Sequence, residues 1–225
     1  MGQGMEKELK QIDVIFYCLD ARAPISCINP KLSKLAENKK IIYVITKSDM
    51  VENNKLESFK KRLTTSNSIA VTLNGTESNS TKILYDKAKF ILKDKIELKK
   101  QKGLNFSIKA MVVGVPNAGK STLINNFCKK AKTITGNKAG ITRGKQWVTV
   151  DDNLILLDTP GTLYPSFSSN KIARNLAYIG SIKDEVLDTT NLAFDFIKDI
   201  IKINKKFLED RYKITISETD ETLDV

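Results

Sequence analysis

The residues best equipped for chemistry lie in a few short stretches, and the densest of them reads Gly114-Val115-Pro116-Asn117-Ala118-Gly119-Lys120-Ser121. It satisfies G-x-x-x-x-G-K-[ST] at every fixed position. An apolar run of buried-strand type (Ile108, Ala110, Met111, Val112, Val113) precedes it, and a helix-forming stretch follows Thr122. A loop so placed turns its backbone N–H groups onto phosphate oxygens at the start of a helix. Those amides belong to Asn117, Ala118, Gly119, Lys120, Ser121 and Thr122. Lys120 reaches the outer phosphates and the Ser121 hydroxyl ligates magnesium. Read alone, the stretch promises a nucleotide phosphate and a metal ion, and no more.

Three further stretches narrow that reading. Asp158-Thr159-Pro160-Gly161 ends an apolar strand, Leu154 to Leu157. A carboxylate there holds magnesium through water, and Gly161 offers a backbone N–H beside the terminal phosphate. In isolation D-x-x-G is a plain turn; downstream of a phosphate loop it acquires this role. Thr46-Lys47-Ser48-Asp49 fits the base-reading pattern [NT]-K-x-D. The Asp49 carboxylate can accept hydrogen bonds from guanine N1–H and the N2 amino group, which adenine cannot supply, while Lys47 lays its aliphatic stem over the purine. The motif therefore selects GTP over ATP. Thr142, in Lys138-Ala139-Gly140-Ile141-Thr142-Arg143, is the candidate switch threonine, closing its hydroxyl on magnesium and its backbone on the γ-phosphate when GTP is bound. Lys120, Thr142 and Gly161 form the candidate catalytic set.

The elements that must position these residues follow from hydrophobic periodicity. Strands are expected over residues 12–19, 41–45, 69–73, 146–150 and 154–157, besides the one entering the phosphate loop. Helices are expected over 30–38, 51–63, 121–130 and, as one long amphipathic rod, 81–100. Ala131 to Lys145 reads as a mobile, basic, Gly-containing loop. A Ser/Pro-rich loop, Tyr164 to Asn170, leads to helical segments over 171–178 and 190–212, and Ser217 to Val225 reads as an acidic, frayed tail. Strands alternating with helices imply a mostly parallel sheet covered on both faces, with ligands at the carboxyl ends of its strands. Each motif above sits at such an end. The expected organisation is a nucleotide-binding domain over residues 1–170 and a short C-terminal helical segment over 171–225.

Composition bounds the rest. The 225 residues are 41% hydrophobic, enough for a sizeable core, and no apolar run approaches membrane-spanning length. The first residues resemble neither a signal peptide nor a transit peptide, and Glu6 stands where a myristoylation signal wants Ser or Thr. Cys18, Cys27 and Cys128 form no zinc or disulfide pattern, which fits a reducing interior, and with no histidine the chain has no imidazole base or ligand. A formal charge of +11 points to a polyanionic partner. An AT-biased, lysine-rich composition supplies much the same charge without function. Lys93, Lys95, Lys99, Lys100 and Lys102, with Lys129, Lys130 and Lys132, are the candidate phosphate contacts; without interleaved aromatics they imply no sequence-specific readout.

The order of the motifs is the informative part. Conventional GTPases present phosphate loop, switch threonine, D-x-x-G and then base reader; here the base reader comes first and D-T-P-G last. Together with Asp20-Ala21-Arg22-Ala23-Pro24, Leu123-Ile124-Asn125, Gly140-Ile141-Thr142 and Gln146-Trp147, this ordered set resembles the circularly permuted ribosome-assembly GTPases of the YlqF family over roughly residues 6–215. The resemblance implies a P-loop NTPase fold of the α/β class: a circularly permuted GTPase sheet with helices on both faces and a short C-terminal helical appendage. It also implies a GTP-hydrolysing assembly factor, expected as a monomer, that acts on the precursor of the large ribosomal subunit and contacts ribosomal RNA. The bacterial cytoplasm is the expected compartment, with a mitochondrial or other organelle relative as the alternative. Asn117 resembles the phosphate-loop asparagine that helps hold potassium in related GTPases. Asn74 stands near the place of the family's base-supporting loop, without its Ser-Ala signature. The family's upstream Gly-His segment has no counterpart here, and its C-terminal helical domain is normally longer.

In this order the segment beyond Gly161 leads directly into the C-terminal helices, which allows nucleotide state to reach them. Thr162 and Leu163 stand where Ras-type enzymes place a water-orienting glutamine, so slow intrinsic turnover, accelerated by a ribosomal partner, is expected. Two rivals are a GTP-regulated RNA-binding scaffold with negligible turnover and a signalling-type GTPase with a protein effector.

Overall fold

In the computed structural model, residues 2–73, 79–130, 145–161, 169–183, 185 and 187–217 are described, the side chains of residues 2–6, 80 and 130 excepted. The chain divides into two compact units, residues 1–167 and 168–225.

The first unit is built on a six-stranded sheet of order β3-β2-β1-β4-β6-β5. Its strands are β1 (Val14–Asp20), β2 (Lys40–Thr46), β3 (Ser68–Leu73), β4 (Ile108–Gly114), β5 (Gln146–Asp151) and β6 (Leu154–Asp158). All neighbouring pairs are parallel except β5–β6, an antiparallel edge hairpin turning at Asp152-Asn153. Every residue of β1 is buried, as a central strand covered on both faces requires. Phe16 stacks on Phe127 of α6 (Lys120–Lys130) with ring centroids 6.3 Å apart. Tyr17, pointing to the opposite face, accepts the Asn29 N–H at 2.7 Å and so pins the segment entering α2 (Pro30–Leu35). Asn29 in turn caps α2 by accepting from Lys31 and Leu32.

The sheet accounts for the position of the site. Parallel pairing in register brings Asp20, Thr46 and Leu73 to one end of neighbouring strands, and Gly114 and Asp158 to the same end of β4 and β6. The Lys47-Ser48-Asp49 stretch leaves β2 and the Gly114–Ser121 loop leaves β4, with β1 between them. This is the permuted α/β arrangement expected from the motif order.

Two expected helices are each divided in two, one in each unit. The helix expected over 81–100 is broken at Leu92 into α4 (Ser80–Ile91) and α5 (Lys93–Gln101). Leu84, Ala88 and Leu92 are buried, whereas α5 buries no side chain, so the apolar stripe that would hold a straight rod on the sheet ends at the break. A Lys95–Asp13 ion pair ties α5 down. The chain also begins with a helix that periodicity missed, α1 (Gly2–Gln11), in which Leu9 is the buried anchor among the side chains described. α3 (Asn53–Leu63) buries Leu56 and Leu63, as its spacing implied.

The second unit contains α7 (Asn170–Tyr178), α8 (Thr189–Asn204) and α9 (Lys206–Tyr212), so the helical stretch expected over 190–212 is divided at Lys205. Ser169 and Asp188 cap α7 and α8 through their side-chain oxygens. Tyr178 meets Phe196 edge-on at 5.0 Å, and Arg174 pairs with Asp195 at 3.3 Å. Among the described residues no helix is long and apolar enough to cross a membrane.

Candidate functional site

The phosphate loop is held open by backbone geometry that only particular residues tolerate. Gly114 lies at φ +153, and a Cβ there would stand 2.6 Å from the Cys18 carbonyl oxygen of β1. Glycine is therefore required for β1 and β4 to pair up to the start of the loop. Asn117 takes the left-handed conformation at φ 60 at the exposed crest of the loop, a geometry asparagine adopts more readily than most residues. Gly119, at φ +87, faces Thr46: a Cβ would come within 3.2 Å of its methyl group.

Lys120 opens α6 with its side chain folded back under the loop. Its ammonium donates to the carbonyls of Gly114 at 3.1 Å and Val115 at 2.8 Å. Burial pushes the ammonium below its usual range, and Asp158 is among the groups opposing that shift. The amides of residues 117–122 and this one buried cation thus share one end of the sheet, a positively biased cradle suited to phosphate.

Asp158, 1% exposed, ends β6 opposite Val112, while Thr159 anchors the turn by donating to the Val112 carbonyl at 2.6 Å. Gly161 completes the approach. A Cβ on it would lie 2.9 Å from both Pro116 N and Cα and 3.0 Å from the Lys120 ammonium, so the D-T-P-G turn rests on the phosphate loop itself. Magnesium suits these donors: Ser121 brings its hydroxyl to the first turn of α6, and Asp158 stands at the end of the strand beside β4. A single carboxylate with a hydroxyl is the sparse oxygen set this ion uses when phosphate and water supply the rest. When bound, it would neutralise charge on the β- and γ-phosphate oxygens.

On the other side of the loop lies a cavity of about 250 Å³ whose wall includes Thr46, Lys47, Asp49, Met50, Leu73, Gly119, Thr122 and Asn126. Apolar side chains form flanks for a planar ring, and Asp49 supplies an acceptor. Thr46 joins the two halves of the site, its hydroxyl lying 3.1 Å from the Leu19 carbonyl and 3.0 Å from the Ala118 carbonyl of the phosphate loop. Lys47 has φ 54 and extends its ammonium to Asp20, 2.7 Å away.

The structure thus gathers Thr46, Lys47, Asp49, Asn117, Ala118, Gly119, Lys120, Ser121, Thr122, Asp158 and Gly161 on one edge of the sheet. Thr142 and Asn74 lie outside the described residues, as do Thr162 and Leu163. Met50 and Asn126, in the cavity wall, were not singled out in sequence, and Asp20 and Arg22 entered only as part of a family motif. A carboxylate closing an apolar strand at the ligand end of a sheet was the available signal for Asp20, the same signal that identified Asp158.

Comparison with known proteins decides the family. Residues 109–218 match the family described as 50S ribosome-binding GTPase. Ribosome biogenesis GTPase A of Bacillus pumilus is 34% identical over 207 residues, covering 92% of this chain and 71% of the relative. The chain belongs to the ribosome biogenesis GTPase A family. The homologue from Bacillus cereus is 32% identical, again over 92% of this chain and 71% of its own length. A plant relative, Short integuments 2, mitochondrial, of Arabidopsis thaliana, is 27% identical over 87% of this chain and 52% of the relative. Among solved structures, GNP-bound YlqF from T. maritima superposes with a TM-score of 0.58 at 20% identity, covering 96% of this chain and 78% of that one, a likeness of fold. Membership makes this chain a ribosome-assembly GTPase that binds guanine nucleotide.

Proposed function

We propose that this GTPase serves assembly of the large ribosomal subunit by binding the precursor and its ribosomal RNA in a nucleotide-dependent way, with slow intrinsic turnover that the subunit accelerates. The observation that carries the reading is the seat of Gly161 on Pro116 and Lys120: the turn that answers to the γ-phosphate already touches the loop that holds it. In this scheme Asp49 reads guanine, Lys47 covers the purine and Asn74 supports the base. The amides of Asn117 through Thr122 take the phosphates, and Ser121, Thr142 and Asp158 hold magnesium. Lys120, Thr142 and the Gly161 amide stabilise charge on the leaving and transferred groups. None of these groups orients the attacking water, which is why a partner is expected to complete the site.

The exposed crest position of Asn117 suits a ligand for a potassium ion beside the β- and γ-phosphates. Faster hydrolysis in potassium than in sodium supports this; equal rates refute it. For RNA, Lys93, Lys100, Lys102 and Lys129 are exposed, and affinity carried by such contacts falls steeply with salt. The monomer is the working state in this scheme and the cytoplasm its compartment, with an organelle as the alternative.

Co-sedimentation with isolated large subunits tests the function directly. Retention with a non-hydrolysable GTP analogue and release with GDP is the expected result; no retention in either state overturns the ribosomal reading in favour of a signalling GTPase. Single-turnover hydrolysis with and without subunits separates an activated enzyme from a scaffold. Nucleotide-dependent hydrogen-exchange protection over residues 171–212 would bear out transmission into the C-terminal helices.

A further inference from the structure

Asp20 and Arg22, which form an ion cluster with Lys47 of the base cavity, have no part in the scheme above. Asp20 closes β1 in register with Thr46 and is 1% exposed. Its Oδ1 accepts the Arg22 backbone N–H at 3.0 Å and Nε at 2.9 Å; its Oδ2 accepts Arg22 Nη2 at 2.8 Å and Lys47 Nζ at 2.7 Å. One buried carboxylate therefore holds two cations. Burial would push its carboxyl pKa up, but hydrogen bonds from Arg22 and Lys47 outweigh burial and hold it below the ordinary range.

Lys47 is the member with a second possible allegiance. Its stem lines the base cavity together with Asp49, two residues on. Asp49 is exposed and makes no hydrogen bond or ion pair with another described residue. An ammonium without Asp20 would have Asp49 as the neighbouring anion in the cavity wall. Pairing there would cover the acceptor that guanine needs and draw the lysine stem off the wall.

We infer that Asp20 is a positioning residue for the base site: by holding the Lys47 ammonium against β1, it keeps the Asp49 carboxylate open to guanine. Arg22 supplies the second cation that keeps Asp20 ionised while Lys47 is engaged. The inference rests on Asp49 being the base reader.

The test uses the full chain and two labelled nucleotides, GDP and IDP; IDP lacks the N2 amino group and so reports on engagement of Asp49. Asp20→Asn is expected to weaken GDP binding about tenfold and to shrink the preference for GDP over IDP, as loss of a buried ion partner implies. Lys47→Met keeps the apolar stem and removes the ammonium. In that background Asp20→Asn should cost nothing more, and the double variant carries no stranded ammonium to impair folding. Equal losses in both backgrounds would make Asp20 a fold element alone and overturn the inference, as would unchanged GDP and IDP binding in the single variant. Asp49→Asn is the control. If it leaves the GDP preference intact, the base-site reading fails and takes this inference with it. If Asp49→Asn responds and Asp20→Asn does not, only this inference falls.

Discussion

Gly161→Ala is the sharpest perturbation available, because it adds one methyl group at the contact between the two phosphate-facing turns. That methyl would sit 2.9 Å from two backbone atoms of Pro116 and 3.0 Å from the Lys120 ammonium. Carbon atoms make their best contact at about 3.5–4.0 Å, so more than half an ångström must be recovered. Lys120 can swing, but Pro116 is backbone within a loop fixed by Gly114 and Thr46, so the D-T-P-G turn must withdraw instead. Overpacking of this kind typically costs about 1–3 kcal/mol. If Gly161 must hold its seat in the transition state, the same energy lowers the hydrolysis rate by about 5- to 150-fold. GDP affinity should hold within about twofold, since a twofold change is under 1 kcal/mol and GDP has no γ-phosphate for this turn to meet. Single-turnover hydrolysis at saturating GTP, paired with fluorescent GDP titration, reads both quantities. Wild-type hydrolysis with an unchanged melting temperature would mean that the turn moves off the loop freely, and the reasoning from this contact would be wrong.

Thr46→Val removes the hydroxyl between the Leu19 and Ala118 carbonyls, and urea denaturation should register a loss of about 1–3 kcal/mol together with faster GDP release. The Asp20 carboxyl is depressed in the folded state, so its stabilisation is complete above the ordinary value of 3.8 and is lost as pH falls through the lower folded value. Asp20→Asn should accordingly flatten the acid limb of a stability–pH curve while leaving the alkaline limb in place. Burial pushes the Cys18 and Cys27 thiols up to about 12. A maleimide at pH 8 should spare both in the native protein and label the half-exposed Cys128 first, and stability should fall as pH rises from 9 towards 12.

Residues whose role depends on local pattern were legible in the sequence. Strands β1 and β2 announce themselves by unbroken apolar runs and β4 by one interrupted at Lys109, and Gly114, Gly119 and Lys120 by spacing that a phosphate cradle needs. Periodicity failed where apolar side chains do not settle the matter. α1 carries few of them among lysines and glycines, and Leu92 continues the apolar stripe of α4 although the chain turns there. Asp20 was legible as a carboxylate closing an apolar strand, but its pairing with Lys47 was not, because Lys47 leaves a different strand and is brought close only by β1–β2 register. The seat of Gly161 on Pro116 is a contact of backbones, which glycine permits but whose partner the sequence does not name.

The sheet order also has a consequence for how the protein is made. Strands β1, β2 and β3 are consecutive in the chain and adjacent in space, whereas β1 must wait for its other neighbour, β4, until residues 108–114 are synthesised. The half carrying Lys47 and Asp49 can therefore pair its strands while the phosphate loop is still unmade, leaving one edge of β1 unsatisfied in the meantime. Thr46 then closes on the Ala118 carbonyl, a long-range contact between the two halves that becomes available before the Gly161 seat on Pro116. In the proposed scheme a guanine nucleotide can meet Asp49 and Lys120 together only after that pairing, and a ligand that binds only the folded chain stabilises it by mass action.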